Sequence, residues 1–269
     1  MNRRIATLVV VVAALVAVAC VDMSAPKGAL SISSLVLPSP SVVVGDTMRD
    51  SVGVAAPLRV IAFDADDKPI ADVAAQFFIT DSLAVGHLDK GNVVVGDKQG
   101  SLHIIGQVSG IQTLPVTLPV TVKPTVFALG AKVDTLTVPF ANATDTTRTS
   151  TKTVAIPVTL KGLGDTAAVG FVVKYALTSA PATKSGSTLA AVSLVADDAS
   201  RIVSGVDTTD GSGASRLLLV RSPLLADQAL QSGQTTDSAV VTVSTTYKGV
   251  PVSGSPIRVV VPIKVKIGF

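Results

Sequence analysis

The sequence predicts an all-β chain, two β-sandwiches in tandem behind a short apolar N-terminal segment. The choice of acid is the first reason: all 19 acidic residues are Asp and none is Glu. Glu is a good helix former, whereas Asp favours caps and turns, so this imbalance with abundant Val and Thr points to strands joined by Asp-rich turns. Alternation is the second reason. Ala239, Val241, Val243, Thr245 and Tyr247 point one way, while Val240, Thr242, Ser244 and Thr246 point the other, the period of a half-buried strand. Repetition is the third: Asp46-Thr47-Met48-Arg49-Asp50-Ser51 recurs as Asp145-Thr146-Thr147-Arg148-Thr149-Ser150, a shift of 99 (145 − 46). Val73 to Thr80 echoes Phe171 to Thr178 with a shift of 98 (171 − 73), and two copies of one domain explain the near agreement.

Residues 1–19 read as a secretion signal. Arg3 and Arg4 give a charged start, and Ile5 to Ala19 is an apolar run interrupted only by Thr7. As a helix the run would reach about 22 Å, short of a hydrocarbon core of about 30 Å, so a permanent span is the weaker reading. Ala17-Val18-Ala19-Cys20 resembles the lipobox of bacterial lipoproteins. That resemblance implies diacylation of the Cys20 thiol, cleavage before it and a membrane anchor, with residues 20–27 as tether. Cys20 is the only cysteine, so no disulfide competes for it. Several acyl chains, at about 0.8 kcal/mol per buried CH₂, hold far more firmly than one. Val21 rather than Asp after the cysteine favours the outer membrane or cell surface over inner-membrane retention.

Residues 28–124 form the first expected sandwich and 125–269 the second, longer by loops around 180–200 and 221–236. Lys123-Pro124-Thr125 is the junction, because Pro124 ends one β run just before another starts at Val126. Leu114, Val116, Leu118, Val120 and Val122 share a face opposite Pro115 and Pro119, and two residues without N–H groups place that strand at a sheet edge. Ile257, Val259, Val261, Ile263, Val265 and Ile267, opposed by Arg258, Lys264 and Lys266, form the strand expected to close the second domain.

Composition and motifs narrow the functional classes. Without Arg3 and Arg4 the mature chain of 250 residues (269 − 19) has 20 basic residues (22 − 2) against 19 acidic, a balance that gives no footprint for nucleic acid. Gly162-Leu163-Gly164-Asp165-Thr166-Ala167 formally matches a dinucleotide fingerprint. A strand, not a helix, is expected after it, and no acid follows at the ribose distance, so it reads as a hairpin loop. His87 and His103 are the only histidines, and neither comes with a catalytic motif. His103, between Leu102 and Ile104, is expected to face outward. No catalytic or cofactor-binding residue is therefore assigned, and no metal ligand: two His and one Cys fall short of a structural zinc site. Asp64, Asp66 and Asp67, and then Asp207 and Asp210, form acidic turns where calcium is the one ion worth weighing, but neither has EF-hand spacing. Asn142 to Lys152 reads as an exposed Thr-rich loop.

Val44-Gly45-Asp46-Thr47, then Phe63 to Ile70, then Thr80 to Val85 leading through Leu88-Asp89 to Gly91, resemble the bacterial immunoglobulin-like (group 2) repeat. Asp207 to Ala214 followed by Arg216 to Val220 resembles the turn and strand of invasin or intimin-type repeats. These resemblances imply a non-catalytic, lipid-anchored envelope protein, a spacer or adhesion module whose partner is an envelope or extracellular protein or polysaccharide. Carbohydrate binding is the alternative, weakened by the absence of Trp; a hydrolase is the third reading, weakened by two His and no Glu.

Overall fold

The computed structural model describes residues 30–64, 66–70, 73–81, 84–139, 151–226 and 236–266. Cys20, the signal and residues 142–150 lie outside these. Up to Thr121 the chain forms β1 (Leu30–Val36), β2 (Val42–Val43), β3 (Arg59–Asp64), β4 (Pro69–Ile70) and β5 (Gln76–Ile79). There follow β6 (Gly86–Leu88), β7 (Val94–Gly96), β8 (Gly100–Val108), β9 (Ile111–Gln112) and β10 (Val116–Thr121). After Pro124 come β11 (Val126–Leu129), β12 (Leu136–Pro139), β13 (Thr151–Lys161), β14 (Val172–Ser179) and β15 (Val192–Ala196). The last strands are β16 (Val206–Thr208), β17 (Ala214–Arg221), β18 (Thr236–Tyr247), β19 (Val250–Pro251) and β20 (Ile257–Lys266).

Each half builds two sheets. The first has β1-β3-β4 and β2-β10-β8-β5, with β6-β7 as a separate hairpin; the second has β11-β13-β17-β15 and β12-β20-β18-β14-β16. In both, a short early strand runs parallel to the last long strand, β2 to β10 and β12 to β20. That last strand then meets two antiparallel neighbours in the same order, β8 and β5 in one half, β18 and β14 in the other. The echoed segments around Phe77 and Tyr175 thus occupy equivalent strands. Facing sheets with this shared order make each half an immunoglobulin-like β-sandwich. Among the described residues, no strand pairing joins one half to the other.

Alternation fills the cores as the period of two requires. Ala239, Val241 and Val243 on β18 and Val259, Val261, Ile263 and Val265 on β20 are buried in the larger, second core. Leu102 and Ile104 on β8 and Leu118 and Val120 on β10 meet Met48 and Leu58 in the smaller, first core. The strand carrying Pro115 and Pro119 departs from expectation at its start. Leu114 is 85% exposed and precedes β10, because the pairing with β8 shifts there: Gln112 faces Gln107 but Val116 faces Ile104, so one extra residue bulges out between β9 and β10. Pro119 lies on a stretch of β10 that β8 borders on one side; β2 joins the other side only at Val120 and Thr121. The region 180–200, expected to be loop, contains strand β15, whose Val192 and Leu194 enter the second core.

Three Asp turns of the first domain share one chemistry. Asp50, Asp64 and Asp89 each accept two backbone N–H groups, two and four residues ahead, through one carboxylate oxygen. Gly53, Asp67 and Asn92, three residues after these acids, take the left-handed conformation that lets the chain return.

Candidate functional site at the domain junction

Among the described residues, Asp46 pairs with two cations, Arg49 and Lys248, where the two sandwiches meet. Asp46 lies three residues after β2, beyond the positive-φ Gly45, and meets the second domain there. Its Oδ1 accepts the Thr47 backbone N–H at 2.9 Å and Arg49 Nη2 at 2.9 Å. Its Oδ2 accepts Arg49 Nε at 3.2 Å, the Tyr247 hydroxyl at 2.5 Å and Lys248 Nζ at 2.9 Å. Arg49 also donates through Nη1 to the Gly53 carbonyl at 3.0 Å. The Asp46 side chain is only 11% exposed. Burial alone would raise its pKa, but the donors from Arg49, Tyr247, Lys248 and Thr47 outweigh it and hold the carboxyl well below the usual carboxylate range. The Tyr247 hydroxyl is pushed the other way, by burial first and then by donating to an anion.

The second domain presents these partners on a hairpin tip. Tyr247 ends β18, Val250 begins β19, and the two pair directly, leaving Lys248 and Gly249 as a two-residue loop with positive φ at both positions. Phe171 supports Tyr247 edge-on, with ring centroids 6.2 Å apart, and Lys248 Nζ sits 5.4 Å above the Tyr247 ring. The Asp50–Val54 turn of the first domain lies against this tip. A Cβ on Gly53 would stand 2.5 Å from the Lys248 carbonyl carbon, so only glycine permits the approach. Nearby, the Ser41 hydroxyl donates to the Gly170 carbonyl at 2.9 Å, and Thr121 Oγ1 accepts the Val169 N–H at 2.9 Å. A cleft of about 290 Å³ lies beside Asp46, Arg49, Tyr247 and Lys174. A second, of about 470 Å³, lies between Val44, Lys123, Pro124 and Val250.

The other sequence candidates stay apart from this junction. His103 is half-exposed beside buried Leu102 and Ile104, with Nδ1 2.6 Å from Asp81; His87 Nδ1 is 2.7 Å from Asp97. Both pairs are on the first domain's surface, and sequence spacing gave no sign of either. Gly162 to Ala167 closes as a tight loop in which Lys161 bridges Ala167, with Gly164 and Asp165 at positive φ, and the next long element is a strand. Asp64 caps its turn as described, and Asp210 accepts the Ser212 and Gly213 N–H groups. Asp207 accepts the Ser215 N–H at 2.8 Å and pairs with Arg216 at 3.2 Å. Among the described residues, no three Asp or His side chains gather as a metal site.

No family model matches the chain, and no curated protein matches it. Solved structures do. The adhesin InvE of Yersinia pseudotuberculosis aligns over 87% of this chain and 60% of its own, at 15% identity and a TM-score of 0.33. Domains 4 and 5 of the S-layer protein SbsC align over 88% and 98%, at 14% identity and a TM-score of 0.29. The D00-D0 domain of intimin aligns over 86% and 99%, at 14% identity and a TM-score of 0.28. The immunoglobulin-like assignment of this chain rests on its own strand order.

Proposed function

We propose that this chain is a non-catalytic, lipid-anchored protein of the cell envelope, whose two immunoglobulin-like domains hold an interaction surface away from the membrane. The observation that carries this reading is the use of charge at Asp46. Its carboxylate is surrounded by donors from both domains and engaged in holding them together, a structural arrangement and not a reactive one. The signal-like first 19 residues and the lipobox-like segment ending at Cys20 support attachment through lipid at that residue, at the outer membrane or cell surface. With residues 20–27 as tether and a domain boundary at Pro124, the first sandwich is the membrane-proximal one. The partner on this reading is an envelope or extracellular protein or polysaccharide.

Labelling cells with a fatty-acid analogue tests the anchor. The label is expected on the wild-type chain and absent from Cys20→Ala, which also keeps its signal. Equal labelling of the two would move the anchor elsewhere and overturn the reading.

A further inference from the structure

The two sandwiches share more than a polar contact. Within β2, adjacent residues point to opposite sides: Val42, 2% exposed, belongs to the first core, and Val43, 5% exposed, belongs to the second. The end of β10 divides in the same way. Val120 lies in the first core and the Thr121 hydroxyl meets Val169 of the second domain, while Val122, one residue past the strand, packs against the second core. The parallel pairing of Val42 and Val43 with Val120 and Thr121 therefore forms a wall with one sandwich on each side. Two glycines let the second domain close on that wall: a Cβ on Gly162 would stand 2.5 Å from Val122 Cγ2, and one on Gly170 would stand 2.5 Å from Ser41 Cβ.

From this we infer that the tandem is one stiff body, with the relative orientation of the two sandwiches fixed by an apolar wall and by the Asp46 cluster beside it. Domains joined through a small, polar interface ordinarily move against each other. Here the joint has both components that oppose motion. Swinging the domains apart would expose Val43 and Val122 to water, and it would also draw Tyr247 and Lys248 away from a carboxylate that only Arg49 and the Thr47 N–H would then hold. The inference deepens the spacer reading and rests on it for its purpose. Its geometry, however, needs no lipid, so the two can fail separately.

The test is a spin-label distance measurement on residues 20–269 carrying Cys20→Ala. With its only cysteine removed, the chain can be labelled uniquely at Lys90→Cys in the first domain and Lys184→Cys in the second, both exposed. A single narrow distance distribution is expected, and the pair Tyr247→Phe with Lys248→Ala should widen it about two-fold, the domains then moving as loosely joined ones do. Those two positions are at a hairpin tip, so the variant tests the joint without removing a core side chain. A broad distribution in the parent chain would overturn the inference. So would an unchanged width in the variant, which would show that the Asp46 cluster fixes nothing.

Discussion

Tyr175 and Tyr247, the only tyrosines of the chain, mark two regions with different uses for the same side chain. Tyr175 is 4% exposed, inside the second sandwich, and its hydroxyl has no hydrogen-bond partner among the described residues. Tyr247 is at the junction, and its hydroxyl donates to Asp46 in the other domain. Burial raises both pKa values, Tyr175 with a further push from Asp207 and Tyr247 with one from Asp46. Desolvation is thus common to the two regions, and only the junction returns a charge-assisted hydrogen bond for it. A buried hydroxyl contributes to holding a structure together when its partner is already ionised and fixed by other donors, as Arg49 and the Thr47 N–H fix Asp46.

The largest way to break this contrast is Asp46→Ala. It leaves Arg49 and Lys248 without their anion and Tyr247 without its acceptor, so unfolding free energy should fall by about 3 kcal/mol. Chemical denaturation followed by circular dichroism reads it directly. The effect has a pH signature. Because the folded pKa of Asp46 is depressed, its contribution is complete above the unfolded value of about 3.9 and is lost as pH falls from there towards the folded one. Asp46→Asn should accordingly flatten the acid limb of the stability curve while changing little in its slope above about pH 6.

Gly53→Ala should come next, at about 2 kcal/mol, because the residue has φ +89° and the new methyl would meet the Lys248 backbone. Its effect should shrink when Lys248 and Gly249 are removed with their loop, a combination that isolates the interdomain part from the local strain. A loss that stays unchanged would mean that the two turns do not touch.

The tyrosines themselves sharpen the comparison through opposite signs. Tyr247→Phe should lower stability by about 1.5 kcal/mol, the scale of a hydrogen bond to a charged group. Tyr175→Phe removes a buried hydroxyl that has no partner among the described residues, and stability should rise by about 1 kcal/mol. Thermal melts of the two variants side by side check both signs, and a destabilised Tyr175→Phe would show that its hydroxyl is satisfied after all.

Much of the fold was legible in the sequence because a strand's period depends only on neighbours along the chain. The buried faces of Ala239 to Thr245 and Val259 to Val265 could be read directly, as could the outward His103 and the loop at Gly162 to Ala167. The echo of Val73 to Thr80 in Phe171 to Thr178 was legible too, and those segments do fall on equivalent strands. Leu114 was misread because alternation along the sequence assumes an unbroken register, while the pairing with β8 slips by one residue between Gln112 and Val116. The junction was the part that could not be read. Asp46 stood out only in a repeated run and in the Val44 to Thr47 stretch of the family resemblance, and its partner Tyr247 is 201 residues away. Nor can alternation say that Val42 and Val43 face two different cores, since a period of two specifies opposite sides but not what fills them.

A double-mutant cycle across the joint tests the central claim most directly. Stability would be measured for the parent chain, Asp46→Asn, Tyr247→Phe and the combination, all under the same denaturant conditions. If Asp46 and Tyr247 join the sandwiches as the geometry indicates, the two losses will fall short of adding, with a coupling of about 1–2 kcal/mol. Losses that add to within about 0.5 kcal/mol would mean that the two residues act independently, and would contradict the account of a joint centred on Asp46.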